Sequence, residues 1–383
     1  MPKLPRRRRM PDFAAEGLLK GTRGKRRAAR LELLQDLYRG GVSLEELRQA
    51  VAEDRLALLP MELVLAQDGR YTIEEVAARA DIDVELLIEQ RNATGLPEAP
   101  RDMKAYSKAD VEAARRFARA VEAGLSHKAM IEAGRVFGRA AAQAAAAARL
   151  VGREAFLQPG DTERDLGLRF AEAMRALHPQ TIATLAYLYE SHLREQIRSD
   201  VIESAALAAG KIAGTSEVSV CFADLVGFTR LGEKLEAADL GEVATRFSVL
   251  ASDAVAEPVK LVKMIGDAVM LVSPRPEPLL ETALALVDAA DNEGQNFPQL
   301  RAGVAMGEAL GRFGDWYGAP VNLASRVTAV AAPASVLATQ AVHDSAPETF
   351  AWSRVGRKRL KGIEQGVALY RCRRLQPVEE TGK

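Results

Sequence analysis

The chain has 383 residues, and its 52 Lys and Arg are balanced by 52 Asp and Glu, so no global field favours nucleic acid or an anionic membrane. Two cysteines exclude a secreted disulfide framework, the first 30 residues lack a signal-peptide apolar core, and no apolar run reaches the roughly 18 residues that a bilayer span needs. The expectation is a soluble, reduced, cytoplasmic protein, long enough for two or three domains.

The charge is uneven along the chain. Residues 1–30 hold eleven basic side chains against Asp12 and Glu16. They read as a flexible basic arm, either touching a phosphate-rich surface or simply solvated. Residues 31–210 are rich in Ala, Leu, Glu and Arg at helical spacing, which predicts an all-α domain. Ser43 with Glu46 forms a capping-box pattern opening a helix that stops before Pro60. Thr72 and Asp83 suit the N-caps of two short helices joined by a tight turn. This stretch resembles the DNA-reading module of MerR-type regulators. A DNA-reading helix needs basic and amide side chains, whereas residues 71–94 carry six acidic groups against Arg79 and Arg91. Packing is the better reading, and no DNA partner is expected. Ala140–Ala148, broken only by Gln143, offers a surface of small side chains for close helix packing. A minority reading makes it a groove for an apolar small ligand. From Asp161 a helical pattern runs to about Ala209, with His178-Pro179 expected to kink or split it. Gly210 and Gly214 then read as a stop and linker after a helix suited to act as a lever.

Beyond residue 212 the pattern changes to Val-rich strands, Gly/Pro turns and helices, an α+β signature. Val218–Leu225 reads as a buried strand that ends on a carboxylate, Asp224. Val259–Val272 reads as strand, Gly266-Asp267 turn, strand. If the first strand lies beside this hairpin, Asp224 and Asp267 converge at one end of a sheet. Converging carboxylates repel, and a divalent cation between them resolves the conflict. In the segment Gly314–Arg326, Pro320 suits a first helical turn, and Asn322 and Arg326 then stand i and i+4 on one face. Arg357–Gly362 adds a cationic loop. Each piece has an ordinary alternative: a plain turn, a solvated helix face, or a cap supplied by Asp224 to the helix near Phe228.

Together, FADLVGFT, KMIGDAVM, DWYGAPVNLASR and RLKG resemble the class III nucleotidyl cyclases of the adenylate cyclase type, over residues 216–373. The N-terminal half resembles more loosely the helical regulatory domain of bacterial, pH-responsive cyclases. The resemblance implies an all-α regulatory domain over 31–210 and a ferredoxin-like α+β catalytic domain over 212–375. It implies that Asp224 and Asp267, with the Leu225 carbonyl as an extra ligand, hold two divalent ions, Mg²⁺ or Mn²⁺. It places Lys263 and Asp315 against adenine, Asn322 on the ribose, Arg326 on the α-phosphate and Lys361 on the terminal phosphates, with Lys358 and Arg359 as neighbours in register. It further implies ATP as substrate and a homodimer with two shared sites. His192, flanked by Glu190 and Glu195 on the long helix, is either a pH-sensing group or an exposed histidine without a role. Two other functions compete: an ATP-binding sensor without turnover, and a helix-turn-helix transcription regulator.

Overall fold

The structure is a computed structural model describing residues 9–65, 69–207, 215–294, 296–363 and 365–375. The chain divides into two compact units, Met1–Arg198 and Ser199–Lys383. Lys3 and the arginines of residues 6–8, like the Gly210–Gly214 linker, lie outside the described residues.

The first unit is all-α: α1 (Gly24–Arg39), α2 (Leu44–Ala52), α3 (Leu59–Leu65), α4 (Ile73–Ala80), α5 (Val84–Ala93), α6 (Lys108–Glu122), α7 (His127–Phe156) and α8 (Glu163–Leu207). The described part of the expected arm is folded. Phe13, Leu18 and Leu19 are buried against Leu33, Leu34 and Leu47, because the basic residues of this stretch are interleaved with apolar ones that find a core. Capping is explicit in the sequence. Ser43 and Thr72 close capping boxes with Glu46 and Glu75, and the Asp83 carboxylate accepts from the Leu86 amide. Each such cap contributes about 1 kcal/mol. A second core gathers Ile73, Val76, Leu87, Tyr106 and Val111. The acidic helix pair packs around its own apolar face.

The helices α7 and α8 run antiparallel, with Phe156 edge-on to Phe170 at 6.2 Å and Phe137 edge-on to Tyr189 at 6.3 Å. Pro179 does not split α8, which continues through it. Proline removes one backbone donor, and the neighbouring turns carry the helix past the gap. The Ala140–Ala148 face lies exposed along α7, with only Ala144 half-buried.

The second unit is one eight-stranded sheet with helices on both faces. Its elements are β1 (Thr215–Leu225), α9 (Phe228–Leu231), α10 (Ala237–Asp253), β2 (Lys260–Ile265), β3 (Ala268–Ser273), α11 (Pro276–Asn292), β4 (Leu300–Arg312), β5 (Asp315–Tyr317), α12 (Ala319–Val330), β6 (Ser335–Thr339), α13 (Gln340–Ser345), β7 (Ala351–Lys358) and β8 (Val367–Arg373). The order is β2-β3-β1-β4-β6-β8-β7, with β5 paired to β4. The first four strands in this order are each antiparallel to their neighbours and form the ferredoxin-like core expected from the sequence. Alternation along β1 sends Cys221, Ala223 and Leu225 into the core under α10 and α11. Val218, Val220 and Phe222 face the other way, toward Ala324 and Val321 of α12. Asp224 has the parity of this second set, so it stands on the α12 side of the sheet.

Candidate active site

The site grows from the end of β1. Its last residues pair with the β2–β3 turn on one side and with the start of β4 on the other. The Leu225 amide donates to the Asp267 carbonyl at 3.0 Å, and the Val226 amide donates to the Gln299 carbonyl at 2.8 Å. Gly266 takes a left-handed φ of 62°, which a tight two-residue hairpin requires, and this places Asp267 beside the strand end. The sequence expectation that Asp224 and Asp267 come to one end of the sheet holds geometrically. Asp224 does not cap α9, whose N-cap is Gly227 with no side-chain bond.

Electrostatics records the closeness of the two carboxylates. Burial pushes the Asp267 carboxyl above its usual range, and the nearby Asp224 charge pushes it further; Arg301 opposes both. Arg301 opens β4 directly opposite Asp224 in the ladder. Its Nε and Nη2 both donate to Asp224 Oδ2, at 3.1 and 2.7 Å, and its Nη1 donates to the Ala329 carbonyl of α12 at 3.2 Å. Sequence reading missed this residue. The available signal was a cation opening the apolar run Leu300–Ala305, at the position that alternates with the inward Leu300 and Ala302.

The donor set fits a hard divalent cation. Two carboxylates converge, one raised by the other, and Asp224 Oδ1 carries no hydrogen bond from a described residue. Among the described residues no third His, Cys, Asp or Glu joins them. A metal held there would complete its shell with water and substrate oxygens, as Mg²⁺ typically does. The Leu225 side chain is buried in the core, so only its main chain could take part.

The other expected residues lie on β2, β5, α12 and the turn after β7. Lys263 on β2 pairs directly with the Asp315 carboxylate on β5, both side chains part-exposed. The second oxygen of Asp315 accepts from the Trp316 amide at 2.8 Å, which fixes the carboxylate. Asn322 and Arg326 are exposed on the outer face of α12, without side-chain partners among the described residues. The inner face of α12 is tied down. Thr328 Oγ1 donates to the Phe222 carbonyl at 3.1 Å, and Ala324, Val327 and Thr328 are buried. Gly303 permits this close approach, since a Cβ there would sit 2.2 Å from the Thr328 nitrogen. Lys361 is exposed in the turn after β7, and the adjoining Leu360 packs with Val327 and Leu323 of α12. Asn322 lies seven residues along α12 from Ala329, about 10 Å at the rise of an α-helix. One protomer thus holds the carboxylates with Arg301 at the end of β1, the Lys263–Asp315 pair across β2 and β5, and Asn322 with Arg326 on α12.

Fold and site together define a nucleotidyl cyclase catalytic domain. Residues 211–372 match the adenylate and guanylate cyclase catalytic domain family, and residues 11–197 match the adenylate cyclase regulatory domain family. Over 96% of its length the chain is 40% identical to a pH-sensitive adenylate cyclase of Mycobacterium tuberculosis, spanning 94% of that protein. It is 35% identical to an adenylate cyclase of Streptomyces coelicolor over 74% of each chain. The crystal structure of the adenylyl cyclase CyaB from P. aeruginosa aligns with 43% of this chain and 96% of that one, at 22% identity and a TM-score of 0.36. The chain belongs to the class III adenylate cyclases, with a regulatory domain ahead of the catalytic one. Catalytic domains of this class bind nucleotides, use divalent metals and act as dimers. No helix among the described residues is long and apolar enough to cross a membrane.

Proposed function

We propose that the chain converts ATP to 3′,5′-cyclic AMP and pyrophosphate at two equivalent sites shared across a homodimer. What supports this reading is the convergence of Asp224 and Asp267 beside Arg301 at the end of β1, read as one half of the site, with Lys263, Asp315, Asn322 and Arg326 read as the other. A two-fold partner supplies to each half what it lacks. Asp224, Asp267 and the Leu225 carbonyl would hold two divalent cations, Mg²⁺ or Mn²⁺, which supply Lewis acidity to the reacting phosphate and lower the pKa of the attacking hydroxyl.

The remaining roles follow from residue chemistry. Lys263 donates to adenine N1, and Asp315 accepts from the 6-amino group. Guanine reverses donor and acceptor on that edge, so it leaves both charges mismatched. Asn322 orients the ribose so that its 3′-hydroxyl lies in line with the α-phosphorus of the same molecule. That oxygen forms the new ester bond, the bond to pyrophosphate breaks, and the hydroxyl proton passes to water. Arg326 neutralises the charge that develops on the α-phosphate, and Lys361 takes the terminal phosphates. Cyclic AMP production by the full chain with Mn²⁺ tests the reading, with GTP as the competing substrate. ATP should be turned over and GTP disfavoured, while Asp224→Ala abolishes turnover and Arg326→Ala lowers it by roughly 10²–10³. Tight ATP binding without any cyclic product would make the chain a sensor instead.

The helical unit is proposed to set this activity according to pH. The support is the likeness to a relative named for that property, together with His192 exposed on α8. Histidine is the side chain whose ordinary titration falls in the relevant range. The pH–activity profile of the full chain should differ from that of a chain beginning at residue 212. Superimposable profiles would remove the helical unit from any pH response. A cytoplasmic site of action suits Cys221 and Cys372. Both are unpaired, and burial pushes each thiol up to about 12.

A further inference from the structure

The proposed roles leave the residue after Asp315 without a task. Strand β5 has only three residues, Asp315–Tyr317, and meets the C-terminal end of β4 through the pairs Leu310–Tyr317, Gly311–Trp316 and Arg312–Asp315. The hairpin turns at Phe313 and Gly314, both left-handed, with φ of 53° and 77°. A two-stranded ladder this short is marginal by itself. Side-chain packing has to settle where it lies, and on β5 Trp316 is half-buried while Tyr317 is exposed.

The indole is held on two sides. Across the ladder it covers Gly311: a Cβ there would lie 3.3 Å from Trp316 Cη2 and 3.5 Å from its Cζ2 and Cζ3. An aromatic ring over a glycine on the facing strand shields backbone that the glycine leaves bare. Toward the sheet the ring packs, with Val321 and Leu323 of α12, on the core of Val220, Met270, Ala309 and Ala324. One side chain thus joins the hairpin to the helix that carries Asn322 and Arg326. The Trp316 amide donates to Asp315 Oδ1 at 2.8 Å, while Lys263 holds the other oxygen. The Asp315 carboxylate is thereby tied to the backbone of residue 316 and tilts as that residue tilts.

We propose that Trp316 is a positioning residue for base selection: seated on Gly311 and on the α12-side core, its indole fixes the direction of the Asp315 carboxylate and with it the preference for adenine over guanine. The inference rests on the reading of Lys263 and Asp315 as the pair that meets the base. Hydrogen bonds weaken steeply as their angle closes, so the direction of Asp315 matters as much as its presence. A hairpin without its anchor lets the carboxylate turn, which weakens the adenine contact and relieves the guanine mismatch together. A general loss of stability, by contrast, lowers turnover of both nucleotides alike.

The test measures kcat/KM for ATP and for GTP in the full chain with Mn²⁺, and calorimetric affinity for 3′-deoxy-ATP and 3′-deoxy-GTP, which lack the attacking hydroxyl. Trp316→Ala should lower the ATP-to-GTP ratio about tenfold or more in both measurements, and Trp316→Phe should keep most of it. Gly311→Ala, whose methyl presses on the ring, should shift the ratio in the same direction by less, and it decides the matter if Trp316→Ala does not fold. The proposal is overturned if wild type binds the two analogues equally, or if the folded variant keeps the wild-type ratio, whether or not its turnover falls. Wild type that prefers 3′-deoxy-ATP, loses that preference in Trp316→Ala and forms no cyclic product would sink the cyclase reading and leave the positioning role standing. Cyclic AMP formation with a ratio that neither variant moves would do the reverse.

Discussion

Asp267 sits where charge is resisted. Burial and the Asp224 carboxylate both raise its pKa, and Arg301 offsets them only in part. A carboxyl whose folded pKa is raised contributes its stabilisation below the unfolded value and loses it as pH rises through the folded one. At pH 7 that contribution is gone, so the ionised group strains the metal-free fold. Asp267→Asn should therefore raise the melting temperature of metal-free protein by roughly 2 °C at pH 7. The gain should fade as pH falls toward the carboxyl's own titration, and added Mn²⁺ should stabilise wild type but not the variant. An unchanged or lower melting temperature at pH 7 would remove the repulsion argument. The two acidic positions were legible because a carboxylate ending an apolar strand and one at a hairpin tip both violate the local pattern. Arg301 was not, because an arginine at a strand start is ordinary until the register places it opposite Asp224.

At the scale of elements, α12 is the part whose position matters most. Its outer face holds Asn322 and Arg326, and its inner face rests on β1 and β4 through Thr328 and Gly303. A methyl at 303 meets helix backbone that cannot step aside, so the helix itself must move. Gly303→Ala should cost about 1–3 kcal/mol of stability. On the proposed reading, in which Asn322 and Arg326 act on the transition state, it should also lower kcat more than it raises KM for ATP. Normal kcat in a folded Gly303→Ala protein would show that this contact does not set the helix. The caps at Ser43, Thr72 and Asp83 were readable because capping is local chemistry spelled within four residues. The continuity of α8 through Pro179 was not readable. A proline's local preference argues for a break, and only the surrounding helix decides whether one occurs. The fate of residues 9–30 was hidden for a related reason: charge dominates their composition, while Phe13, Leu18 and Leu19 decide their packing.

For the whole molecule, the proposed two-fold assembly makes a quantitative claim. Asp224→Ala removes one half of a site and Arg326→Ala the other, and each homodimer should be nearly inactive. In a mixture that exchanges subunits freely, half of the dimers are mixed, and each of these holds one intact site of two. Activity should therefore recover to about a quarter of wild type. A mixture as inactive as its components would place all groups within one protomer and refute the shared site. The composition changes near residue 212, whereas the two compact units part between Arg198 and Ser199. The partner was visible only through family likeness, because one chain's sequence carries both halves of a site without saying which copies meet.

The direct contact between Lys263 and Asp315 carries a last consequence. These two groups already satisfy one another. On the proposed reading, an incoming base does not fill an empty receptor but replaces an existing bond. It gains only the difference between the contacts it offers and those it undoes. A base that engages one of the pair strands the other as a lone charge. Selectivity at this position is then an exchange reaction, steep because partial fits are penalised twice.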